Sequence, residues 1–448
     1  MLNMMQKDSF RHGVHPPEHK DETRHLAIRR FPFAPELVVP LSQHLGKPAM
    51  PIVREGQEVM RGQTIATANG FMSVAMHAPA SGVVRKIALA PGISGNMVLS
   101  VFLRTTPASS QEVDDGDACD VESASANEII AAIQRAGVVG LGGAAFPTHV
   151  KLKAPEGKRL ETLIINGVEC EPYLTTDYRV MLEQSADIFT GIRFLLKATG
   201  ASEAIIAVEA NKQEAARKLR EECPDDLPVS IRVCPVKYPQ GAEKLVIKSL
   251  LGREIPSGGL PADVQAICVN VATTAEIGRL LPRGRGIQER VITIGGPGVQ
   301  RKGNYRIPIG TTVRFALEQT GAAKNLSRVF LGGPMMGPAV SNLDIPITKG
   351  TSGITAFTPP ETGGATGQQK IYPCIHCARC VEACPLFLNP SHLGLLAKNE
   401  EYEQMADAFN LMDCFECGAC AYVCPSHIPL VQYFRLSKKM VRKLRVPA

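Results

Sequence analysis

Cys374-Ile-His-Cys377-Ala-Arg-Cys380-Val-Glu-Ala-Cys384-Pro385 is followed along the chain by Cys414-Phe-Glu-Cys417-Gly-Ala-Cys420-Ala-Tyr-Val-Cys424-Pro425. Each run is C-x2-C-x2-C-x3-C-P. Three thiolates at this spacing wrap one face of an iron–sulfur cubane, and the fourth, set off by the longer step and the proline, reaches the other cluster. The spacing therefore assigns Cys374, Cys377, Cys380 and Cys424 to one [4Fe-4S] cluster, and Cys414, Cys417, Cys420 and Cys384 to a second. Zinc is the competing reading, but a zinc site takes four ligands, usually two and two, whereas each run here supplies four cysteines with Pro after the last. His376 is read as a packing or surface residue. Between the runs Leu393, Leu396, Met405, Phe409 and Met412 recur at roughly helical spacing, which predicts helices holding the two sites together.

The rest of the chain must be large. Its 448 residues suffice for about three domains. Hydrophobic residues at 44% and charged residues at 21% place it among globular proteins. No stretch approaches the ~18 consecutive apolar residues of a membrane helix. A net charge of +6, spread without an aromatic-interleaved basic stripe, excludes a nucleic-acid binder. Cys119, Cys170, Cys223, Cys234 and Cys268 lie outside the runs and are expected to be reduced, which with the cluster chemistry points to the cytoplasm. Residues 1–30 are polar, with His12, His15, His19 and His25 among Pro and charge. They read as an arm docking on the body or a partner, neither signal peptide nor anchor.

From Leu37 to Leu103 short β-runs alternate with turn residues. Pro51–Ile65 and Ala78–Ile87 resemble the barrel-sandwich hybrid of biotinyl and lipoyl carriers, whose hairpin-tip lysine bears the cofactor. The corresponding tip here is Met72-Ser-Val-Ala-Met76, so the resemblance implies the fold, as a structural or docking module, and not the swinging arm. The Ser-, Gln- and Asp-rich segment that follows reads as a linker.

A helical segment, Glu128–Arg135, leads into Gly137-Val-Val-Gly140-Leu-Gly142-Gly143-Ala-Ala-Phe146-Pro147-Thr148. Glycines let such a loop turn tightly and approach a planar or phosphorylated ligand. Apolar runs at Leu163–Asn166, Ala204–Val208, Val229–Val233 and Ala266–Asn270 alternate with helical stretches, the pattern of an α/β domain with a mostly parallel sheet and a ligand beyond the strand C-termini.

The Gly137–Thr148 loop, Asn166…Glu169-Cys-Glu171-Pro172, Gly241-Ala-Glu243 and Asn270-Val-Ala-Thr273, in that order, resemble the FMN- and NADH-binding subunit of respiratory complex I and related diaphorases. Val291-Ile-Thr-Ile-Gly-Gly-Pro to Gly333-Pro334 resembles the β-grasp piece that follows in that subunit. Two cluster runs, the carrier-like front domain and Gly13-Val-His-Pro-Pro17 make nearly the whole chain similar to the C subunits of the Rnf electron transport complexes. It departs from the complex I pattern at Leu141 (Arg there), Ala145 (Gly), Val168 (Asp) and Ala242 (Glu).

The resemblance implies a multidomain α/β protein with β modules. Its parts are an arm (1–30), a barrel-sandwich hybrid (31–105), a linker (106–126), a Rossmann-like FMN/NADH domain (127–290), a β-grasp, SLBB-like domain (291–345), a second linker (346–370) and a helical dicluster ferredoxin domain (371–448). It implies a flavin site built from Gly140, Gly142, Gly143, Lys151, Lys153, Asn166, Glu169, Asn270 and Thr273, with Phe146, Glu171 and Glu243 meeting the nicotinamide. The same glutamates can be read as helix caps or solvated surface. The expected function is electron entry between NAD(H), FMN and two [4Fe-4S] clusters, on the cytoplasmic face of a membrane ion-translocating complex. Its partners would be integral-membrane and iron–sulfur subunits, with ferredoxin reached indirectly. A wire and docking subunit with a degenerate flavin site, and the diaphorase of a soluble hydrogenase or dehydrogenase, are the competing expectations. The basic segment Arg435–Arg445 is read either as a contact to anionic lipid or an acidic partner or as a solvated helix end.

Overall fold

The computed structural model describes residues 8–108, 110–359 and 370–445. The front module has two antiparallel sheets. Glu36–Pro40, Met97–Thr105, Gly82–Pro91 and Glu58–Val59 form one in that order, and Met50–Pro51, Thr64–Thr67 and Met76–His77 the other. Leu37, Val39, Ile65, Met76, Val84 and Leu103 fill the space between them. The same apolar cluster runs on into Ile129, Ile133, Val138 and Val139, so this module is welded to the domain that follows. Its tip, Met72–Met76, offers no lysine, and mass spectrometry of the intact chain is expected to find neither a lipoyl nor a biotinyl adduct.

The segment that reads as a first linker lies along the body. Arg61 Nη1 donates to the Gln111 carbonyl (2.6 Å), and the Gly116 and Cys119 amides donate to the Arg283 and Leu281 carbonyls. Ser125 and Glu128 then form a reciprocal capping box that starts the helix Ala126–Arg135, a feature worth about 1 kcal/mol.

The central sheet is wholly parallel, in the order Val229–Cys234, Glu203–Glu209, Thr162–Gly167, Ala266–Asn270. The chain winds outward in one direction from Thr162–Gly167 and then crosses to its other side, so the order reverses between that strand and Ala266–Asn270. A ligand crevice belongs at the C-terminal ends of those two strands, at Asn166 and Asn270. One face of the sheet is covered by the consecutive helices Thr176–Glu183 and Ser185–Thr199 and by Val271–Leu280. Gly191 and Gly278 let the last two cross closely, because a Cβ at either would strike the other helix's neighbourhood at the Thr274 or Asp187 carbonyl.

A mixed five-stranded sheet follows, in the order Arg29–Arg30, Gly303–Pro308, Glu289–Gly295, Gly353–Phe357, Arg328–Leu331, with the helix Val313–Gln319 against it. The stretch 346–370 reads as a linker in the sequence, and here the structure corrects it. Its Gly353–Phe357 segment is an interior strand whose Ile354 and Ala356 are buried, while residues 360–369 lie outside the described residues. The arm likewise contributes an edge strand to this sheet, through Arg29 and Arg30.

The last domain repeats one plan. Each cysteine run has left-handed backbone at corresponding positions, His376, Ala378 and Phe387 in the first and Glu416, Gly418 and His427 in the second. Each then enters a one-turn helix (Arg379–Glu382, Ala419–Tyr422) and a longer one (Pro390–Lys398, Leu430–Arg445). Leu393, Met405, Leu411, Val431 and Phe434 form the core between them. The basic segment Arg435–Arg445 is the greater part of the helix Leu430–Arg445. Lys438 reaches the Cys414 carbonyl, Arg435 Nε donates to Glu416 (3.0 Å), and Arg445 pairs with Asp407, so much of its charge is spent inside this domain. No helix among the described residues is long and apolar enough to cross a membrane.

Candidate flavin pocket and cluster cavities

The glycine loop sits over the reversal point of the parallel sheet. Its neck is closed by the Gly140 amide donating to the Phe146 carbonyl (2.8 Å) and the Ala145 amide donating to the Gly140 carbonyl (3.1 Å). Leu141 N donates to Thr273 Oγ1 (2.9 Å), and Arg290 Nη2 donates to the Leu141 carbonyl (2.8 Å). Gly142 lies against Asn270, whereas Gly143, at φ +110°, has no protein atom within 4 Å of where a Cβ would stand. The loop crest, Gly142–Ala144, is exposed. Backbone held this firmly at its neck and left bare at its crest can admit a planar group against it.

Asn166 donates from Nδ2 to the Gly241 carbonyl (2.8 Å) and accepts the Val168 amide. Asn270 Oδ1 caps the helix Val271–Leu280 by accepting from Ala272 and Thr273, and its Nδ2 donates to Asp177 Oδ2 (2.8 Å). Asn166, Asn270 and the buried Thr273 thus frame the crevice with their side chains. Glu171 accepts the amides of Met335 (3.2 Å) and Met336 (2.6 Å), and burial pushes its carboxyl up to about 7. Its oxygens are occupied by the loop that leads toward the cluster domain.

Lys151 and Glu243 pair with each other. Lys151 Nζ meets Glu243 Oε2 at 2.9 Å, and Glu243 Oε1 is buried with no hydrogen-bond partner. A pair this open to solvent contributes at most about 1 kcal/mol to stability, so stability alone is a weak reason for it. The orphaned carboxylate oxygen fits a ligand that brings an N–H or O–H. Lys153 lies outside this pairing, its Nζ 5.4 Å from the centre of the Phe71 ring, on the tip of the front module. Phe146 is half-buried beside the loop.

Beneath the loop lies a buried polar network that the sequence does not reveal. Glu169 Oε1 accepts the Asp177 amide (2.8 Å), and its Oε2 stands 3.9 Å from Lys20 of the arm. Lys20 also donates to the Glu169 (2.5 Å) and Leu174 (2.8 Å) carbonyls, and Lys212 pairs with Glu209 nearby. Burial, then the Glu169 charge, raises the Asp177 carboxyl. Burial, then Lys212, lowers the Lys20 ammonium. Lys349 Nζ ties the front module to the start of the loop, donating to the Ala75 (2.7 Å) and Gly137 (2.8 Å) carbonyls. Lys20, Lys212 and Lys349 lie far from the loop in sequence, with no motif to mark them.

Two cavities stand in the last domain. Cys374, Cys377, Cys380 and Cys424 line one; Cys384, Cys414, Cys417 and Cys420 line the other. Among the described residues no three His, Cys, Asp or Glu side chains converge tightly enough for a single metal ion. Thiols spread around a cavity fit a cubane, which has iron at several corners, better than one zinc. The amides of His376 (3.5 Å) and Glu416 (3.4 Å) point at the Cys374 and Cys414 sulfurs in the same way. Burial pushes the Cys417 thiol up to about 12, so coordination to a cation would be what makes it a thiolate. The second cavity lies against the flavin-type domain and the mixed-sheet domain: Lys244 pairs with Asp413 at 3.6 Å and Ser257 donates to the same carboxylate (2.5 Å) from the former, and Gly418 abuts the Met335 carbonyl of the latter. Cys377 and Ile375, in the first run, are exposed.

Comparison with known families gives each part a match. Residues 8–107 match the RnfC barrel sandwich hybrid domain, 133–279 the Nuo51 FMN-binding domain, 291–339 the SLBB domain and 373–428 the 4Fe-4S dicluster domain. FMN and 4Fe-4S clusters are the cofactors of these domains, and together they define a flavin- and iron–sulfur-dependent electron-transfer protein. The chain belongs to the RnfC family, the C subunits of the Rnf ion-translocating oxidoreductase complexes. It is 40% identical to the C subunit of the proton-translocating ferredoxin:NAD(+) oxidoreductase complex of Clostridium ljungdahlii, over 96% of this chain and 93% of the relative. It is 37% identical to the C subunit of the Na(+)-translocating ferredoxin:NAD(+) oxidoreductase complex of Acetobacterium woodii, over 97% of each. It is 38% identical to the C subunit of the ion-translocating oxidoreductase complex of Rhodobacter capsulatus, over 98% of this chain and 84% of the relative. An NAD+-reducing [NiFe]-hydrogenase chain shares the fold over 72% of this chain and 68% of its own, with TM-score 0.50 and 17% identity.

Proposed function

We propose that this chain is the peripheral electron-entry subunit of a membrane ion-translocating ferredoxin:NAD oxidoreductase, exchanging electrons with NAD(H) on the cytoplasmic side. The observation that carries the reading is the bare crest of the Gly140–Gly143 loop at the sheet's reversal point, in one chain with two four-thiol cavities. The strand order supports a Rossmann-like account of the central domain, and the mixed sheet with its single helix supports a β-grasp account of the next.

Bound FMN would exchange a hydride's two electrons with NAD(H) on one side and single electrons with the clusters on the other. The chain's own part is placement. Thr273 and Arg290 fix the loop at Leu141. Asn166 and Asn270 hold the two strand ends that border the crevice. Lys151 balances the charge of Glu243 while leaving Oε1 free to accept from the flavin or the nucleotide. The eight cysteines would hold the clusters, and the other subunits of the complex would take up or supply the electrons.

Iron, sulfide and flavin analysis of the purified chain, with NADH-dependent dye reduction, tests the reading. Two clusters and one FMN with dye reduction are expected; clusters without flavin would reduce the chain to a wire. Glu243→Gln should raise the KM for NADH more than it lowers flavin content, because a charge that orients the nucleotide is removed and no covalent step is lost. An unchanged KM with lost flavin would make Glu243 a flavin ligand instead.

A further inference from the structure

Hydrogen bonds and ion pairs crossing from the cluster domain to the rest of the described chain land close to one cavity. The arm runs between the two bodies there. Gly13 N donates to the Ala383 carbonyl (3.2 Å), next to Cys384, and His12 Nδ1 contacts the Glu382 carbonyl (2.5 Å). The next arm residue, Val14, exchanges two backbone hydrogen bonds with Tyr238, 2.8 and 2.9 Å long. Tyr238 is fully buried, and its hydroxyl donates to the carbonyl of Cys417 at 2.5 Å. Val14, Tyr238, Ala383 and Ala419 close around these bonds as a small apolar cluster of their own, with Cys170 and Cys417 packed against it. Gly13 sits at φ +84°, and a Cβ there would come within 2.6 Å of the Tyr238 carbonyl, so the seat admits glycine alone without a shift.

The same loop reaches the flavin crevice. Three residues beyond Tyr238, Gly241 accepts from Asn166 through its carbonyl and donates from its amide to Cys170 Sγ (3.4 Å); Glu243 follows. One short segment, residues 238–243, therefore touches a cluster-cavity cysteine at one end and the flavin-type crevice at the other.

We propose that His12–Val14 and Tyr238 form a clip that fixes the Cys384/Cys414/Cys417/Cys420 cavity against the flavin-type crevice, with Tyr238 a positioning residue for electron transfer between them. The transfer role rests on the electron-entry reading above; the clip itself rests on the contacts alone. Electron transfer needs two redox groups held at a fixed separation. Here a bonded chain of protein groups, arm included, sets it, in addition to the covalent link through residues 360–369.

The test uses the full-length holo chain and two variants, Tyr238→Phe and Gly13→Ala. Loss of one ordinary hydrogen bond should speed amide exchange at Gly13 and Val14 by about fivefold in Tyr238→Phe. Gly13→Ala, which unseats the arm, should speed it at least as much. Electron paramagnetic resonance of dithionite-reduced protein should change for the cluster of the Cys417 cavity and stay unchanged for that of the Cys374 cavity. NADH-driven cluster reduction should slow at saturating NADH with KM, flavin content and iron content per chain all unchanged, whereas a general loss of folding would lower the cofactor content with the rate. Unaltered exchange and spectra in both variants, or equal change in both clusters, would overturn the clip. If the wild-type holo chain fails to oxidise NADH, the electron-entry reading falls, while exchange and the dithionite spectra still judge the clip.

Discussion

A Gly143→Val chain is expected to fold, to keep both clusters reducible by dithionite, and to lose FMN and all NADH-driven reduction of those clusters. Beyond its chain neighbours, nothing in the protein lies within 4 Å of a Cβ at Gly143, so the root of a valine side chain finds open space there. What it meets is the volume over an exposed loop crest, the place left for a planar ligand. The backbone at φ +110° adds strain of about 1–3 kcal/mol, a fraction of the roughly 5–15 kcal/mol that holds a domain folded. The cluster domain has its own core, so the defect stays local. Flavin content, the thermal unfolding midpoint and reduction by the two donors, measured side by side, check this. A Gly143→Val protein with wild-type flavin and NADH oxidation would make the loop a structural turn and move the entry site elsewhere. Gly142→Val is the useful contrast: its Cβ would stand 3.3 Å from Asn270, so damage there would come partly through the frame.

The parts most legible in the sequence are those whose signal is local. Four cysteines within a few residues of one another, twice, mark a 4Fe-4S dicluster domain by their spacing. The strands of the central sheet announce themselves as buried runs such as Leu163–Ile165 and Ile205–Val208, because a parallel sheet covered on both faces leaves no alternation to mislead. The stretch after Ile345 misleads for a local reason as well. Gly353-Ile-Thr-Ala-Phe is short and flanked by Gly and Thr, so its turn-like borders outweigh its apolar residues, and only its partner strands Glu289–Gly295 and Arg328–Leu331 make it interior. The arm reads as a docking segment, but no pattern says where it docks. Its contacts, Lys20 to Glu169, Val14 to Tyr238 and Gly13 to Ala383, join residues far apart in sequence and use backbone carbonyls that any residue supplies. The same holds for Glu171, Asn166 and Asn270. Their identity suggests ligand contacts, while the hydrogen bonds they make, to amides, a carbonyl and Asp177, are fixed only once the loops have met.

Cys384→Ala should remove the cluster of the second run and leave that of the first, although Cys384 belongs to the first run. Its sulfur lines the cavity of Cys414, Cys417 and Cys420, whereas Cys424, at the end of the second run, lines the cavity of Cys374, Cys377 and Cys380. The crossing follows from the paired helices. Each run's third cysteine lies in a one-turn helix, and the longer x3 step brings the fourth beyond it, toward the other half of the repeat. Losing one of four thiolates at the Cys384 cavity should lower bound iron from about eight atoms per chain toward about four. The remaining signal should be that of the exposed cavity near Cys377. Cys424→Ala should give the mirror result, and the two variants should differ in function. With Cys384→Ala the cavity beside Tyr238 is the one emptied, so NADH-driven reduction of the surviving cluster should fail even though dithionite still reaches it. With Cys424→Ala the inner cluster should still be reduced by NADH, but the electron should go no further. If each variant instead lost the cluster of its own run, the ligands would be uncrossed. If Cys384→Ala kept rapid NADH reduction of the remaining cluster, the contacts at Cys417 and Asp413 would not mark the route from the flavin.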